Sequence, residues 1–419
     1  MMRMNKTIWI LTILCSGFYS QAQVLSLDSI LNKIRSNNPG LKMYDAEIRS
    51  MDEAAYGAKS WMPPEVGAGF FMTPYNTKMW RGDGMGSPGM GQFMFSIQQM
   101  FPNKSNLDAQ SRYMLAMSSL EKERKNHTLN DLFADAKKNY YEWMIDKRKL
   151  TILAQDEKLL NFMMESAELR YKNGLGKISA YYKVKASLGN VESMSIMLGS
   201  EISQKRILLN MLMNRDKKLS FEIDSFYMIH DYSEISLDSA TFSNARSDIR
   251  AIEDNIQLNN LKINLERTKL KPEFGIKYDN GVAFGDNPMM FSLMGMVRIP
   301  LAPWSSKMYN ANIESYKWKS ESLNQQKAMI INEAQGMTGA MLADFDAKKK
   351  QVGLYENKII PALKKNYQTM QLGYEQNTEE LFMLFDAWET LNMTQLEYLD
   401  QLHQLLIIQI ELEKLLEIK

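Results

Sequence analysis

What most constrains this chain is that its sequence repeats at half-length. Ser26-Leu27-Asp28-Ser29 returns as Ser236-Leu237-Asp238-Ser239, Pro64-Glu65-Val66-Gly67 as Pro272-Glu273-Phe274-Gly275, and Phe101-Pro102 as Ile299-Pro300. Tyr171, among polar and turn-prone neighbours, returns as Tyr374. One short match arises by chance, but four in the same order mark an internal duplication. Each copy reads helix, strand, loop, strand, long helix, polar turn, long helix. Ser26 and Ser236 stand where N-caps of amphipathic helices of about 35 residues would stand. The first repeat spans 23–215, with strands at about 65–73 and 91–101 and a helical hairpin at about 105–213. A linker follows over 216–234. The second repeat spans 235–419, with strands at about 272–284 and 289–300 and a hairpin at about 305–418.

Residues 1–22 read as a secretory signal: Arg3 and Lys6, an apolar stretch from Ile8 to Phe18, and Ser20-Gln21-Ala22 ahead of a cut before Gln23. Cys15 is the lone cysteine, and Leu14 before it disfavours lipidation, because a lipoprotein signal carries a small residue there. Elsewhere no run of 18 apolar residues occurs; Leu402 to Ile418 is broken by Gln404, Gln409, Glu411, Glu413 and Lys414.

The strand pairs bear on membranes. Phe93, Phe95, Ile97 and Gln99 alternate with Met94, Ser96, Gln98 and Met100. Phe274, Ile276 and Tyr278 face Phe291, Leu293, Val297 and Ile299, with Ser292, Met294, Met296 and Arg298 between. About ten residues with an apolar outer face and a mixed inner face suit transmembrane β-strands. Four strands cannot close a barrel, and an open edge in lipid leaves backbone groups unpaired, so closure requires a symmetric oligomer. The same pattern also fits soluble hairpins packed on helices.

The helices are long. No proline interrupts 106–172, roughly 65 residues or about 100 Å at about 1.5 Å per residue. Leu129, Phe133, Ala136, Tyr140 and Trp143 follow heptad spacing. So do Leu384, Trp388, Leu391, Gln395, Tyr398, Leu402, Leu405, Gln409, Leu412 and Leu416. A second stripe, Leu381, Phe385, Leu399, Leu406 and Ile410, gives that helix two neighbours. Pro361 predicts a kink in the second hairpin.

These features together resemble the outer-membrane efflux protein family, the TolC-like outer membrane factors, which include a heavy-metal efflux type. Arg170-Tyr171-Lys172-Asn173-Gly174-Leu175 resembles the family's first-half turn; Gly373-Tyr374-Glu375-Gln376-Asn377-Thr378, followed by Leu381 to Ala387, resembles the second. The resemblance implies a mixed fold of α-helix and transmembrane β-strand. In it a homotrimer shares a twelve-stranded outer-membrane barrel that leads into a periplasmic barrel of helices. It implies an exit duct of a tripartite efflux or type I secretion system in a Gram-negative bacterium, carrying small molecules, drugs or metal ions. Its partners would be a periplasmic adaptor (membrane fusion protein) and an inner-membrane pump of the RND or ABC type. The adaptor would dock at Arg170, Tyr171, Asn173, Gly174, Gly373, Asn377 and Thr378.

The resemblance places a gate after the second turn, with family aspartates one helical turn apart. Asp386 holds the second of these positions and Met383 the first, which leaves a single carboxylate ring favouring cations, if Asp386 is not simply a solvated helix residue. Tyr374, Glu379 and Glu380 complete the candidate gate, and basic Arg170, Lys172, Lys177, Lys183 and Lys185 on the other turn predict weak cross-pairs holding the tip closed.

Methionine is abundant, 33 residues in 419. Met79, Met85 and Met90 in the first strand-to-strand loop, with Met294 and Met296 on the matching inner face, admit soft-metal contacts with Cu(I) or Ag(I). The spread of Met through the helices (Met114, Met117, Met163, Met329) favours its other use, as a flexible apolar filler. Trp80 and Tyr75 in the loop fit an outer-leaflet interface.

A net charge of +1 offers no global field for nucleic acid, and one Cys with three scattered His leaves no zinc set. No nucleophile motif, phosphate loop or cofactor site stands out, so no enzyme and no cofactor are expected. The competing reading is a soluble periplasmic coiled-coil adaptor or scaffold. Adaptors usually carry one hairpin and a lipoyl-like block, whereas this chain has two matched hairpins and no such block.

Overall fold

The computed structural model describes residues 24–82, 86, 88–300 and 302–418; the signal segment with Cys15, and Met85, lie outside the described residues. In chain order the elements are β1 (Val24–Leu25), α1 (Leu27–Asn37), α2 (Pro39–Gly57), β2 (Glu65–Phe71), β3 (Gln92–Phe101), α3 (Lys104–Lys172) and α4 (Ile178–Leu212). Then come β4 (Glu222–Ile223), α5 (Ser239–Ala245), α6 (Ser247–Lys269), β5 (Glu273–Ala283), β6 (Met290–Arg298), α7 (Pro303–Leu354), α8 (Ile360–Glu375) and α9 (Leu381–Leu416). No described helix is long and apolar enough to cross a membrane.

The opening helix of each repeat is two helices. Ser26 caps α1 by accepting from Ser29 N at 3.3 Å, and α1 ends where Asn38 takes an extended conformation before Pro39 starts α2. In the second copy Asp238, not Ser236, makes the cap, accepting from Thr241 N at 2.6 Å. There α5 and α6 are separated at Arg246, whose guanidinium holds the Asp248 carboxylate at 2.6 Å in the first turn of α6.

The chain divides into two compact units. The first combines residues up to Lys42 with Thr128–Thr241 and Ala334 onward. Its core is the heptad stripe of α3, in which Leu129, Phe133, Ala136, Tyr140 and Trp143 are all buried. On α9 Leu402, Leu405 and Leu412 of one stripe and Leu399, Leu406 and Ile410 of the other are buried too, so this helix is covered on both sides. Residues 216–234, expected as a linker, are part of this core. β4 pairs in parallel with β1 (Leu25↔Ile223), Phe221 sets its edge on Trp143 at 5.0 Å, and Tyr232 does so on Phe345 at 5.2 Å. Tyr140 OH donates to Asp224 O at 2.9 Å. A buried carboxylate, Glu413, gathers the segment: it accepts from Lys137 Nζ at 2.7 Å and Tyr232 OH at 3.1 Å, with His230 Nδ1 2.9 Å away. Neighbouring Gln409 accepts from His230 N and donates to Met228 O at 3.0 Å.

Pro361 acts through its neighbourhood. Lacking an N–H, it cannot donate to Asn357 O, and the helix accommodates it with a π-turn over Tyr355–Ile359, closed by Ile360 N to Tyr355 O.

The second unit, Met43–His127 with Phe242–Glu333, carries an antiparallel sheet in the order β2-β3-β5-β6. Register fixes its faces. Val66, Ala68, Phe70, Phe93, Phe95, Ile97, Phe101, Phe274, Ile276, Tyr278, Val282, Phe291, Leu293 and Val297 share one face. Their side chains are largely exposed: Phe70 retains 65% of its surface, Phe291 71% and Leu293 67%. The other face carries Ser96, Gln98, Lys277, Asp279 and Ser292, with Lys277 paired to Asp279 at 3.1 Å and Arg298 to Glu273 at 3.0 Å. The helices of this unit are tied by Arg250 to Glu123 at 2.8 Å and Asn106 to Thr268 at 3.0 Å.

Removing one partner of a buried ion pair strands the other charge, at a cost of about 3–5 kcal/mol. Glu413→Ala, which leaves Lys137 uncompensated, is therefore expected to lower the melting temperature of the detergent-solubilised protein clearly more than Glu413→Gln, which keeps an acceptor for Lys137 and Tyr232.

Candidate gate at the two helical turns

The two hairpins of the first unit turn through the same backbone device. After α3, Leu175 N bonds Arg170 O at 2.8 Å and Gly174 N bonds Tyr171 O at 3.0 Å, with Gly174 at φ +71°. After α8, Thr378 N bonds Gly373 O at 2.9 Å and Asn377 N bonds Tyr374 O at 3.1 Å, with Asn377 at φ +57°. Both are Schellman closures, which need a left-handed residue that Gly or Asn supplies. Gly373 is required for space as well, because a Cβ there would lie 2.5 Å from Glu379 Cγ.

The side chains bind one turn to the other. The Arg170 guanidinium lies over the Tyr374 ring at 5.4 Å and donates to Asn377 Oδ1 at 3.2 Å. Lys183 on α4 stands over Phe382 at 4.5 Å and Phe385 at 4.3 Å and reaches Glu389 at 4.0 Å. The expected cross-pairing of opposite charges thus takes mostly cation–π and neutral-acceptor forms, worth about 0.5–1 kcal/mol each where exposed. Lys172 instead pairs along its own helix with Glu168 at 2.6 Å. Tyr374 is buried among Leu160, Met163, Ala167, Val184, Leu381 and Leu384.

Asp386 and Met383 are exposed and lie on one face of α9 with Thr390 and Met393, while Leu384, Phe385 and Trp388 point into the core. Glu380 stands at the N-cap position of α9, and Glu379 is half-buried against Gly373. Tyr171 and Asn173 are exposed at the first turn. Met79 and Met90 are exposed on the loop after β2, where Met90 N bonds Met79 O at 2.8 Å; Met294 and Met296 lie on β6. Trp80 in that loop stacks on Phe284 at 5.0 Å and donates to Pro74 O at 2.8 Å.

One polar group at this end escaped the sequence reading. Asp156 on α3 is buried and accepts from Trp388 Nε1 at 2.7 Å and Asn392 Nδ2 at 2.5 Å, both on α9. Its signal was present: Leu153, Asp156, Leu160, Met163 and Ala167 keep heptad spacing, so an aspartate occupies a core position. Burial pushes its carboxyl up to about 6 against the opposing pull of the Trp388 hydrogen bond. Tyr367 on α8 is raised in turn by its own burial and then by Asp156.

Residues 30–215 match the family described as outer membrane efflux protein. By its first repeat, the chain is similar to the outer membrane efflux protein family. Its fold is similar to that of the outer-membrane channel OprN at TM-score 0.74 and 13% identity, covering 93% of this chain and 89% of that one. It is similar to CusC, known for conformational changes that accompany folding and transmembrane channel formation, at TM-score 0.74 and 14% identity, covering 96% and 95%. It is also similar to the outer membrane protein VceC from Vibrio cholerae, at TM-score 0.72 and 14% identity, covering 93% and 95%. No curated protein sequence matches the chain.

The raised carboxyl sets the sign of a pH effect. With a native value of about 6 against the ordinary 3.8, Asp156 binds its proton more tightly in the folded protein, so its contribution to stability is full below about 3.8 and is lost as pH rises to about 6. Asp156→Asn should remove this dependence. Wild type is expected to gain melting temperature relative to the variant as pH falls from 6 to 4, which calorimetry across that range would measure.

Proposed function

We propose that this protein is the outer-membrane exit duct of an efflux or secretion machine in a Gram-negative bacterium. The observation that carries the reading is the sheet: one face bears fourteen hydrocarbon or aromatic side chains in register and is largely exposed, and the other mixes polar, ion-paired residues with methionines. Lipid accepts the first face and water the second. The outer edges of β2 and β6 are open, and a sheet edge is not tolerated in lipid. Three copies would pair these edges into a twelve-stranded barrel and leave the long helical hairpins in the periplasm. Transport would be passive, with energy from an inner-membrane pump of the RND or ABC type reached through a periplasmic adaptor.

In this reading the turns are the docking and gating end. Arg170, Tyr171, Asn173, Gly174, Gly373, Asn377 and Thr378 present the adaptor's contact surface, while Met383 and Asp386 face the pore, with Tyr374, Glu379 and Glu380 beside them. The Arg170 tie to Tyr374 and Asn377 holds the two hairpins together with bonds weak enough for a partner to exchange. A soluble adaptor or scaffold would have to cover the apolar face of the sheet with protein.

Membrane fractionation and gel electrophoresis with and without heating should find a heat-dissociable trimer in the outer membrane; a soluble periplasmic monomer would replace the duct with the scaffold. In planar bilayers Asp386→Ala is expected to lower cation selectivity and alter conductance. Unchanged values would remove Asp386 from the constriction and leave the duct standing.

A further inference from the structure

Filler methionine belongs on apolar faces, where its flexible thioether takes up irregular space. The sheet does the opposite. Met94 and Met100 on β3, and Met290, Met294 and Met296 on β6, all lie on the polar face with Ser96, Gln98, Lys277 and Asp279. The apolar face of β2, β3, β5 and β6 has Val, Ala, Phe, Ile, Leu and Tyr and no methionine.

The register arranges four of these residues in two matching rungs. Met100, Gly275 and Met296 stand side by side on β3, β5 and β6, and so do Met94, Gly281 and Met290. In each rung the residue between the methionines is a glycine, which places no side chain of its own there. At Gly275 the thioethers use the space: Met100 Sδ lies 2.3 Å, and Met296 Cε 3.2 Å, from where a Cβ would be. With strands about 4.8 Å apart, two methionines flanking a glycine can bring their sulfurs onto one ion. At Gly281 the Gln92 amide fills that space, its Oε1 2.2 Å from the same virtual position, so the second rung is the more obstructed. Lys277, the nearest cation on this face of β5, is neutralised by Asp279 at 3.1 Å.

We propose that Met100 and Met296 form a binding site for a soft monovalent cation, Cu(I) or Ag(I), with Met94 and Met290 as a second, weaker contact. The function this gives the site, a stepping point for soft metal ions on their way out, rests on the duct reading; the binding itself does not. Thioethers are neutral and soft, so they select Cu(I) and Ag(I) over Na⁺, K⁺ or Zn²⁺ and hold them without adding charge. Two donors per rung give loose retention, which suits an ion that must leave again.

The test uses the full chain purified in detergent and Ag(I), which needs no reductant, in chloride-free buffer. Equilibrium dialysis with metal analysis should find bound Ag(I) that excess K⁺ does not displace. Met100→Leu/Met296→Leu should weaken it at least tenfold, and Met163→Leu, a buried helical methionine, should leave it unchanged. Leucine conserves volume, so the sheet should still form; heat-dissociable oligomer on gels checks this for each variant. X-ray absorption of the wild-type complex should show sulfur neighbours, a readout that needs no variant. Equal Ag(I) binding in the double variant, an absorption spectrum with only oxygen and nitrogen neighbours, or no bound Ag(I) would overturn the proposal. If the oligomer is present in the outer membrane when that happens, the duct reading survives; if it is absent while Ag(I) still binds, the duct reading fails and the site stands.

Discussion

The antiparallel ladder between β3 and β5, running from Gln92↔Ala283 to Phe101↔Phe274, joins the strand pair of one repeat to that of the other. Because side chains alternate strictly along a strand, that register, with those of the flanking pairs, assigns every residue of four strands to one of two faces. A slip of one residue would put Phe95 and Ile97 among Lys277 and Asp279 and would turn the methionines outward. The exposed hydrocarbon face, the ion-paired opposite face and the Met-Gly-Met rungs follow from this pairing together with those of β2 with β3 and of β5 with β6. Among the described residues the sheet ends at β2 and β6.

In the helical unit apolar packing is plentiful and a few buried polar groups give it specificity. A heptad stripe of Leu and Ala could slide by a turn at little cost, since one apolar rung resembles the next. Asp156 with Trp388 and Asn392, and Glu413 with Lys137 and Tyr232, cannot slide, because each shift would leave a buried donor or acceptor without a partner. These contacts sit at separate places along α9: one near the turns and one where the 216–234 segment crosses, with Leu399, Leu402 and Leu406 between them. Near the turns the partners of Arg170 are an aromatic face and an amide, which tie the hairpins without a second buried charge.

Much of this was legible because it is periodic. Leu129 to Trp143 and Leu402 to Leu416 repeat at heptad spacing, and Phe93 to Gln99 and Phe274 to Tyr278 alternate, so burial and facing follow from counting. The turns were legible because Gly174 and Asn377 belong to a short list of residues that suit such closures. The break between α5 and α6 at Arg246 was not, for it has no proline to announce it. Nor was the cap by Asp238, since the repeat pointed to Ser236 and both residue types cap equally well.

The sequence by itself determined the duplication, the lengths of the helices, the two faces of the strands and the places where the hairpins turn, because each depends on neighbours within a few residues. Only the tertiary structure decided that residues 216–234 join the core, that Asp156 meets Asn392, and that Met100 and Met296 converge over Gly275. A two-residue strand such as β4 has no period to read, and a polar residue at a core position names no partner. Those contacts join residues tens to hundreds of positions apart, and which of the many such pairs forms is settled by packing and register in three dimensions.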